Sequence, residues 1–318
     1  MTPIVVIPVY NEAEAIEAVV VGARRHAPVI VVDDGSDDDS GAIAARAGAQ
    51  VIRHHRRQGK AAALLSGIIA ARARGAPAVV TLDGDGQHAP EDLGPLLWAA
   101  GETPDQIIVG NRLARADGFP RGRLNAMHVA AFFVEWVSEL GVGDTQSGFR
   151  VYPMALFDDV PVTRRGFVFE TEVLIAAARR GWRAREIPVT SIPLARRRSR
   201  FRPVRDGVAI GAYITHRAGE RWVREFGALA RTLGAWLISS DAHRRADGLA
   251  RFRRVGVAAA ATVTSPLLLT ATAVQVTLGR YAPDLVTPLV RKLYSADRLT
   301  AGMGGGQRAQ ALASHVVP

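Results

Sequence analysis

The sequence predicts an α/β protein built on a mostly parallel sheet, and three observations carry that reading. Short apolar runs (Ile4 to Pro8, Val29 to Asp33, Ala49 to His54, Ala78 to Leu82) alternate with stretches of helical periodicity, the rhythm of strands joined by crossover helices on both faces of a sheet. Tyr10, Asp33, Asp34, Asp83 and Asp85 all fall at the carboxyl ends of these runs, where parallel sheets bind their ligands. At 318 residues the chain is long enough to bury one large core, or one domain with an appendage.

Each element follows from local signals. Asn11 with Glu14 three residues on reads as a cap that opens a helix to about Arg25. Gly35-Ser36 breaks the second strand, and apolar residues at helical spacing predict a helix from Lys60 to Arg74. In Val79-Val-Thr-Leu-Asp-Gly-Asp-Gly-Gln-His-Ala-Pro-Glu91 a strand delivers two carboxylates into a Gly-rich turn, and Pro90 starts a helix with Glu91 and Asp92 in its first turn. Ile107 to Val109 is a further strand, followed by Asn111-Arg112, a loop with Arg121 and Arg123, and an apolar helix through Phe132-Phe133-Val134. Asp144 to Arg150 leads into another strand, Phe169 to Glu172 opens a helix ending near Gly181, and Trp182 to Val189 is the last strand. Ile192 to Arg205 is too basic to pack as core, and Val204 to Ser239 reads as a helix with an apolar side. Val255 to Leu278 carries no formal charge and is flanked by arginines; its length would span a bilayer, while its Ala, Thr and Pro266 suit a kinked or interfacial helix equally. The organisation expected is a catalytic domain over 1–203, a basic helical region over 204–298 with the membrane candidate at 255–278, and a disordered tail over 299–318.

With no cysteine, disulfides and thiolate metal sites are excluded. The net charge of +10 is uneven: Ser191 to Arg254 holds fifteen Arg and five acids, so the rest of the chain is near neutral. A block of that sign attracts an anionic partner. The apolar stretch that follows it favours a membrane surface, and the absence of interleaved aromatics argues against nucleic acid. The first ten residues already read as a core strand, so no secretory signal is expected ahead of the fold. The cytoplasmic side of the cell membrane is the expected location.

Two carboxylates as close as Asp83 and Asp85 call for a positive partner. A divalent, oxygen-loving cation is the simplest, its shell completed by phosphate oxygens, and a solvated Asp-Gly turn is the plainer alternative. Oxygen donors suit Mg²⁺ or Mn²⁺, whereas zinc would want His or Cys. His88 beside them reads as a supporting residue rather than a ligand. Asp34 and Ser36 can cap the helix that follows them, and Glu170 and Glu172 suit a helix start whatever else they do.

Taken together, Ile4-Val-Val-Ile-Pro-Val-Tyr-Asn-Glu12, Val31-Val-Asp-Asp-Gly-Ser36, Asp83-Gly-Asp-Gly-Gln87, Gly110-Asn-Arg112 and Asp144-Thr-Gln-Ser-Gly-Phe-Arg150 resemble the family 2 glycosyltransferases of the GT-A fold. The resemblance, roughly from Pro3 to Ile210, is nearest the branch that moves mannose or glucose to polyprenyl (dolichyl) phosphate. It implies Asp85 as the first metal ligand and a catalytic residue, with Asp83 and Gln87 as companion ligands. It also implies donor-nucleotide contacts at Pro8, Tyr10, Glu12, Asp33, Lys60 and Asp83. Ala61 replaces the last glycine of the family's Gly-Lys-Gly. Arg112 would face the donor phosphates. Arg121, Arg123, Gln146 and Ser147 would serve the acceptor, together with Arg200 and Arg202 of the basic loop. Asp144 would line the acceptor side and would act as base if the acceptor were an alcohol; a phosphate acceptor is already anionic and needs none. The activity implied is inverting, metal-dependent transfer of a hexose from a nucleotide diphosphosugar (UDP- or GDP-hexose) to polyprenyl phosphate at the membrane. Glycosylation of another membrane lipid or an envelope hydroxyl is the alternative. A sugar nucleotidyltransferase would open with a Gly-rich basic loop that Pro3 to Glu12 lacks, and an inactive binding protein would have no use for the acidic turn.

Overall fold

The computed structural model describes residues 2–115, 121–162, 168–192, 203–238, 252–253, 255–264 and 286–294. Its elements are β1 (Ile4–Val9), α1 (Ile16–Arg24), β2 (Val29–Asp33), α2 (Ser40–Arg46), β3 (Gln50–Arg53), α3 (Lys60–Ala73), β4 (Ala78–Thr81), α4 (Leu93–Glu102), β5 (Gln106–Asn111), α5 (Arg121–Ser138), β6 (Arg150–Pro153), α6 (Leu156–Asp159), α7 (Phe169–Ala178), β7 (Arg183–Pro188) and α8 (Pro203–Ile238), with a further helix at Val286–Leu293. The candidate membrane segment is described only as far as Thr264. Arg200, Arg202 and the 299–318 tail lie outside the described residues.

One sheet runs in the order β3-β2-β1-β4-β6-β5-β7. All neighbours are parallel except β6, which runs antiparallel to both β4 and β5. Because side chains alternate across a strand, β1 supplies both cores. Val5, Ile7 and Val9 pack with Ile16, Val19 and Ala23 of α1 and Leu93 and Leu96 of α4. Val6 faces the other way onto α3, where a Cβ on Gly67 would fall 2.3 Å from the Val6 Cγ1. Helices therefore cover both faces.

Register decides what meets at the strand ends. Val9 pairs with Asp33 and Asp33 with Arg53, so β1, β2 and β3 stop at one level. The crossings continue past the strands: Asp34 N donates to Val9 O at 2.8 Å and His54 N to Asp33 O at 2.8 Å. Antiparallel β6 sets Arg150 opposite Thr81, and the Thr81 hydroxyl donates to Gly148 O at 2.7 Å. The Asp144–Arg150 run thus enters beside the end of β4. The expected Asn11 cap does not form. α1 begins at Ile16 with no side-chain cap, and Asn11 adopts φ 53° and accepts from Asp37 N at 2.7 Å instead.

By internal contacts the chain divides into two units, one of residues 1–118 and 144–210, the other of 119–143 and 211–318. In the second, α5 buries Phe132 and Trp136; Phe132 meets Tyr294 edge-on at 5.2 Å and Trp136 meets Trp222 at 5.3 Å. Arg221 lies over the Trp136 ring at 5.2 Å and pairs with Glu225 at 2.7 Å. Among the described residues no helix is long and apolar enough to cross a membrane.

Candidate active site

The acidic turn after β4 has a steric reason for its glycines. Gly86 sits at φ +77°, and a Cβ on Gly84 would come within 2.9 Å of Val9 Cγ2. Asp83 is half-buried beside Lys60, whose Nζ lies 2.7 Å from Asp83 Oδ1 and 2.7 Å from Glu170 Oε1. A Cβ on Gly148 would lie 2.7 Å from Asp83 Oδ2 and 2.9 Å from Lys60 Nζ, so the backbone of the 144–150 run is pressed against this triad. Burial works against charge on both partners. The two carboxylates nonetheless raise the Lys60 ammonium above its ordinary value, and Lys60 holds the Asp83 carboxyl below the usual carboxylate range. Glu170, read from the sequence only as a helix-start residue, is the second anchor of Lys60.

Among the described residues Asp85 has no such ion pair. Partial burial, then the neighbouring Asp83, and more weakly Glu12, push its carboxyl up to about 6, although it accepts Gln87 N; that bond is 3.0 Å long. A carboxylate raised by burial and by a like charge beside it is what a divalent cation would relieve. Among the described residues no three His, Cys, Asp or Glu side chains converge as a complete metal cage. The fit is therefore to an oxygen-loving ion held by one or two carboxylates, with the rest of its shell from a ligand. Gln87 is half-buried, and its backbone carbonyl accepts Ile192 N at 2.8 Å. His88 is 2 % exposed and packs on Phe149 at 5.2 Å. Burial pulls its imidazole down to about 4, so it is neutral near neutral pH.

Arg112 and Asp144, read separately as donor-facing cation and acceptor-side carboxylate, are bound to each other. Arg112 Nε and Nη2 donate to the two oxygens of Asp144 at 2.8 and 2.9 Å, and its backbone N adds a third bond at 3.1 Å. Burial opposes ionisation of both. The mutual pairing outweighs it, holding Asp144 below the usual carboxylate range and Arg112 above its own. Glu186 of β7 supports the pair, accepting Asp144 N at 2.8 Å and Asn111 Nδ2 at 3.0 Å. Gln146 donates to Thr171 Oγ1 at 3.1 Å. Ser147 is fully buried, its hydroxyl accepting Phe149 N at 3.3 Å. Arg150, in the motif but given no role by the sequence, is fully buried and stitches the run together through Ser147 O, Glu170 O and Thr145 O, each at 2.8 Å.

On the β1–β3 side, Pro8 lies on β1. The Tyr10 hydroxyl donates to Asp37 Oδ2 at 3.4 Å, with Arg57 over its ring at 4.3 Å. Glu12 is buried, its backbone N donating to Ser40 Oγ at 2.7 Å. Asp33 is fully buried, accepts Ser36 N at 2.8 Å and lies 3.7 Å from Arg53 Nε. Ser36 does not cap α2; its hydroxyl accepts Asn11 N at 2.9 Å. Asp34 does not cap it either, and turns to the loop before α3. Of the acceptor arginines, Arg121 lies in the second unit on a cleft of about 360 Å³ shared with His128, Thr287 and Arg291. The Arg123 side chain is outside the described residues.

A mixed, mostly parallel sheet of this order, flanked by helices and carrying a carboxylate pair just past its fourth strand, is the GT-A architecture. Residues 4–162 match the family described as Glycosyl transferase family 2, and the chain belongs to that family. Polyprenol monophosphomannose synthase of Mycolicibacterium smegmatis is 30% identical over 135 residues, covering 41% of this chain and 51% of that protein. Undecaprenyl-phosphate mannosyltransferase of Micrococcus luteus is 28% identical over 124 residues, covering 37% of this chain and 51% of that one. The chain thus spans about half the length of the curated relatives it matches. Glucosyl-3-phosphoglycerate synthase from Mycobacterium tuberculosis, solved with Mn²⁺, UDP and glucosyl-3-phosphoglycerate, shares the fold at TM-score 0.52 and 22% identity over 69% of this chain and 79% of that one.

Proposed function

We propose that this chain is an inverting hexosyltransferase that moves a mannose- or glucose-class sugar from UDP- or GDP-hexose to a polyprenyl phosphate at the cytoplasmic face of a membrane. The observation that carries the reading is Asp85, a carboxylate with a raised pKa and, among the described residues, no ion-pair partner, beside Asp83 just past the end of β4. Mg²⁺ or Mn²⁺ held there by Asp85, with Asp83 and Gln87 beside it, would stabilise the charge that develops on the leaving diphosphate. Tyr10, Glu12 and Asp33 hold the nucleotide end. Lys60, kept charged by Asp83 and Glu170, holds Asp83 in place beside Asp85.

The acceptor class follows from what the carboxylates are doing. Asp144 is committed to Arg112 and Glu170 to Lys60, so neither is poised to take a proton from an alcohol. A phosphate monoester brings its own anionic oxygen, which attacks the anomeric carbon from the face opposite the departing diphosphate. The names of the mycolicibacterial and micrococcal relatives support the same acceptor class. The arginine block over Ser191–Arg254 suits an anionic membrane surface.

The test is transfer of labelled sugar from a panel of UDP- and GDP-hexoses to a short polyprenyl phosphate, with and without Mn²⁺, by wild type and Asp85→Ala. Lipid-linked product that needs both the metal and Asp85 supports the reading. Donor hydrolysis alone, or transfer only to hydroxyl acceptors, overturns the phosphate acceptor.

A further inference from the structure

Asp34, His54 and Ser66 have no part in the reading above, yet they form one continuous network. Asp34 is 4% exposed, and a buried carboxylate must be given hydrogen bonds or protonate. Its Oδ1 accepts Gln58 N at 2.8 Å and lies 2.8 Å from His54 Nδ1, and its Oδ2 accepts Gly59 N at 2.7 Å. A carboxylate can only accept, so the proton between them sits on His54 Nδ1. The other ring nitrogen lies 3.0 Å from Ser66 Oγ in the middle of α3. The imidazole thus ties the ends of β2 and β3 to α3.

What the network holds is a loop rich in positive charge. Arg56, Arg57 and Gln58 are exposed, and Gly59 sits at φ 99°, ψ 160°, where only glycine is at ease, with no side-chain cap for α3. Alone, such a loop would sample many states. Here three of its four Arg and Lys side chains each have a fixed target. Arg53 Nη2 donates to Ser36 O at 2.9 Å, Arg57 lies over the Tyr10 ring at 4.3 Å, and Lys60 spans Asp83 and Glu170 at 2.7 Å each.

We propose that Asp34 and His54 are a clamp that pre-orders the Arg53–Lys60 loop for the nucleotide diphosphate, with His54 a positioning residue for donor binding. The role in donor binding rests on the glycosyl-transfer reading above; the clamp itself does not. Ordering the loop before the donor arrives spares the binding step that entropy, so its loss falls on donor affinity rather than on turnover.

Two substitutions separate the two ring nitrogens. In His54→Asn the side-chain amide overlays Nδ1 and keeps the Asp34 bond; in His54→Gln it overlays Nε2, keeps Ser66 and loses Asp34. Amide hydrogen exchange of the ligand-free protein reads the clamp, and donor KM with kcat, plus calorimetric UDP and GDP affinity with Mn²⁺, reads its consequence. His54→Gln is expected to speed exchange at Gln58 and Gly59 by about tenfold. The same variant should raise donor KM and nucleotide Kd by about tenfold with kcat within about twofold. His54→Asn should stay within about twofold of wild type throughout. Unchanged exchange in His54→Gln, faster exchange with no change in donor KM, or equal losses in the two variants would overturn the proposal. If wild type binds neither UDP nor GDP, the donor reading and the clamp's role in it fall together, while the exchange comparison still decides whether the clamp exists.

Discussion

Single side chains in this site are governed by whether each buried charge has an opposite to face. Among the described residues Asp85 has no ion-pair partner, and its carboxyl rises from 3.8 to about 6. A group whose folded-state pKa is raised favours the fold while protonated, so its contribution is full below about pH 4 and disappears as pH rises through about 6. The metal-free protein should therefore lose stability between those values. Asp85→Asn should raise the thermal midpoint near neutral pH while reducing transfer at least about a hundredfold, and Mn²⁺ should raise the midpoint of wild type but not of the variant. Scanning calorimetry against pH and metal checks both. Asp144 and Arg112 are the opposite case. Removing one partner strands a buried charge, so Arg112→Ala or Asp144→Ala should cost about 3–5 kcal/mol in urea unfolding. Replacing both with apolar residues of similar volume should cost less than the two single losses added together.

Between elements, close packing sets the limits. α3 lies against β1 and β2 because Gly67 leaves room for the side chains of Val6 and Val32, at 2.3 and 3.2 Å from where a Cβ would be. Gly67→Ala should push α3 off the sheet at a cost of about 1–3 kcal/mol, read as a lower urea midpoint. Lys60 opens the same helix, so this variant should also weaken nucleotide affinity although Gly67 touches no ligand. The antiparallel β6 has an equally direct consequence. It turns the Asp144–Arg150 run back beside β4, so that Gly148 borders Asp83 and Lys60. A parallel strand at that place would deliver the opposite end of the segment.

For the molecule as a whole, the excess charge is concentrated in one block. Fifteen Arg against five acids over Ser191–Arg254 account for a surplus of +10, and such a surplus binds anionic lipid in a salt-dependent way. Co-sedimentation with vesicles containing phosphatidylglycerol should fall steeply as salt rises from about 50 mM to about 500 mM. Arg196, Arg197 and Arg198 changed together to Gln should weaken it at low salt without altering UDP affinity. Retention at high salt would point to apolar insertion instead.

The sequence by itself determined the order of strands and helices, the α/β class and the acidic turn after β4, because these rest on periodicity and turn chemistry within a few residues of one another; the GT-A class came from the resemblance of its motifs to family 2 glycosyltransferases. It also placed Tyr10, Asp33, Asp83 and Asp85 at strand ends, where a parallel sheet gathers them. Only the tertiary structure decided which charges meet. Lys60 with Asp83 and Glu170, Arg112 with Asp144, and Asp34 with His54 are pairs drawn from distant segments, and their contact depends on strand order and register, which no local pattern records. The same holds for the division of the chain, in which residues 119–143 group with 211–318: composition changes along the sequence, whereas a compact unit is defined by what packs together in space.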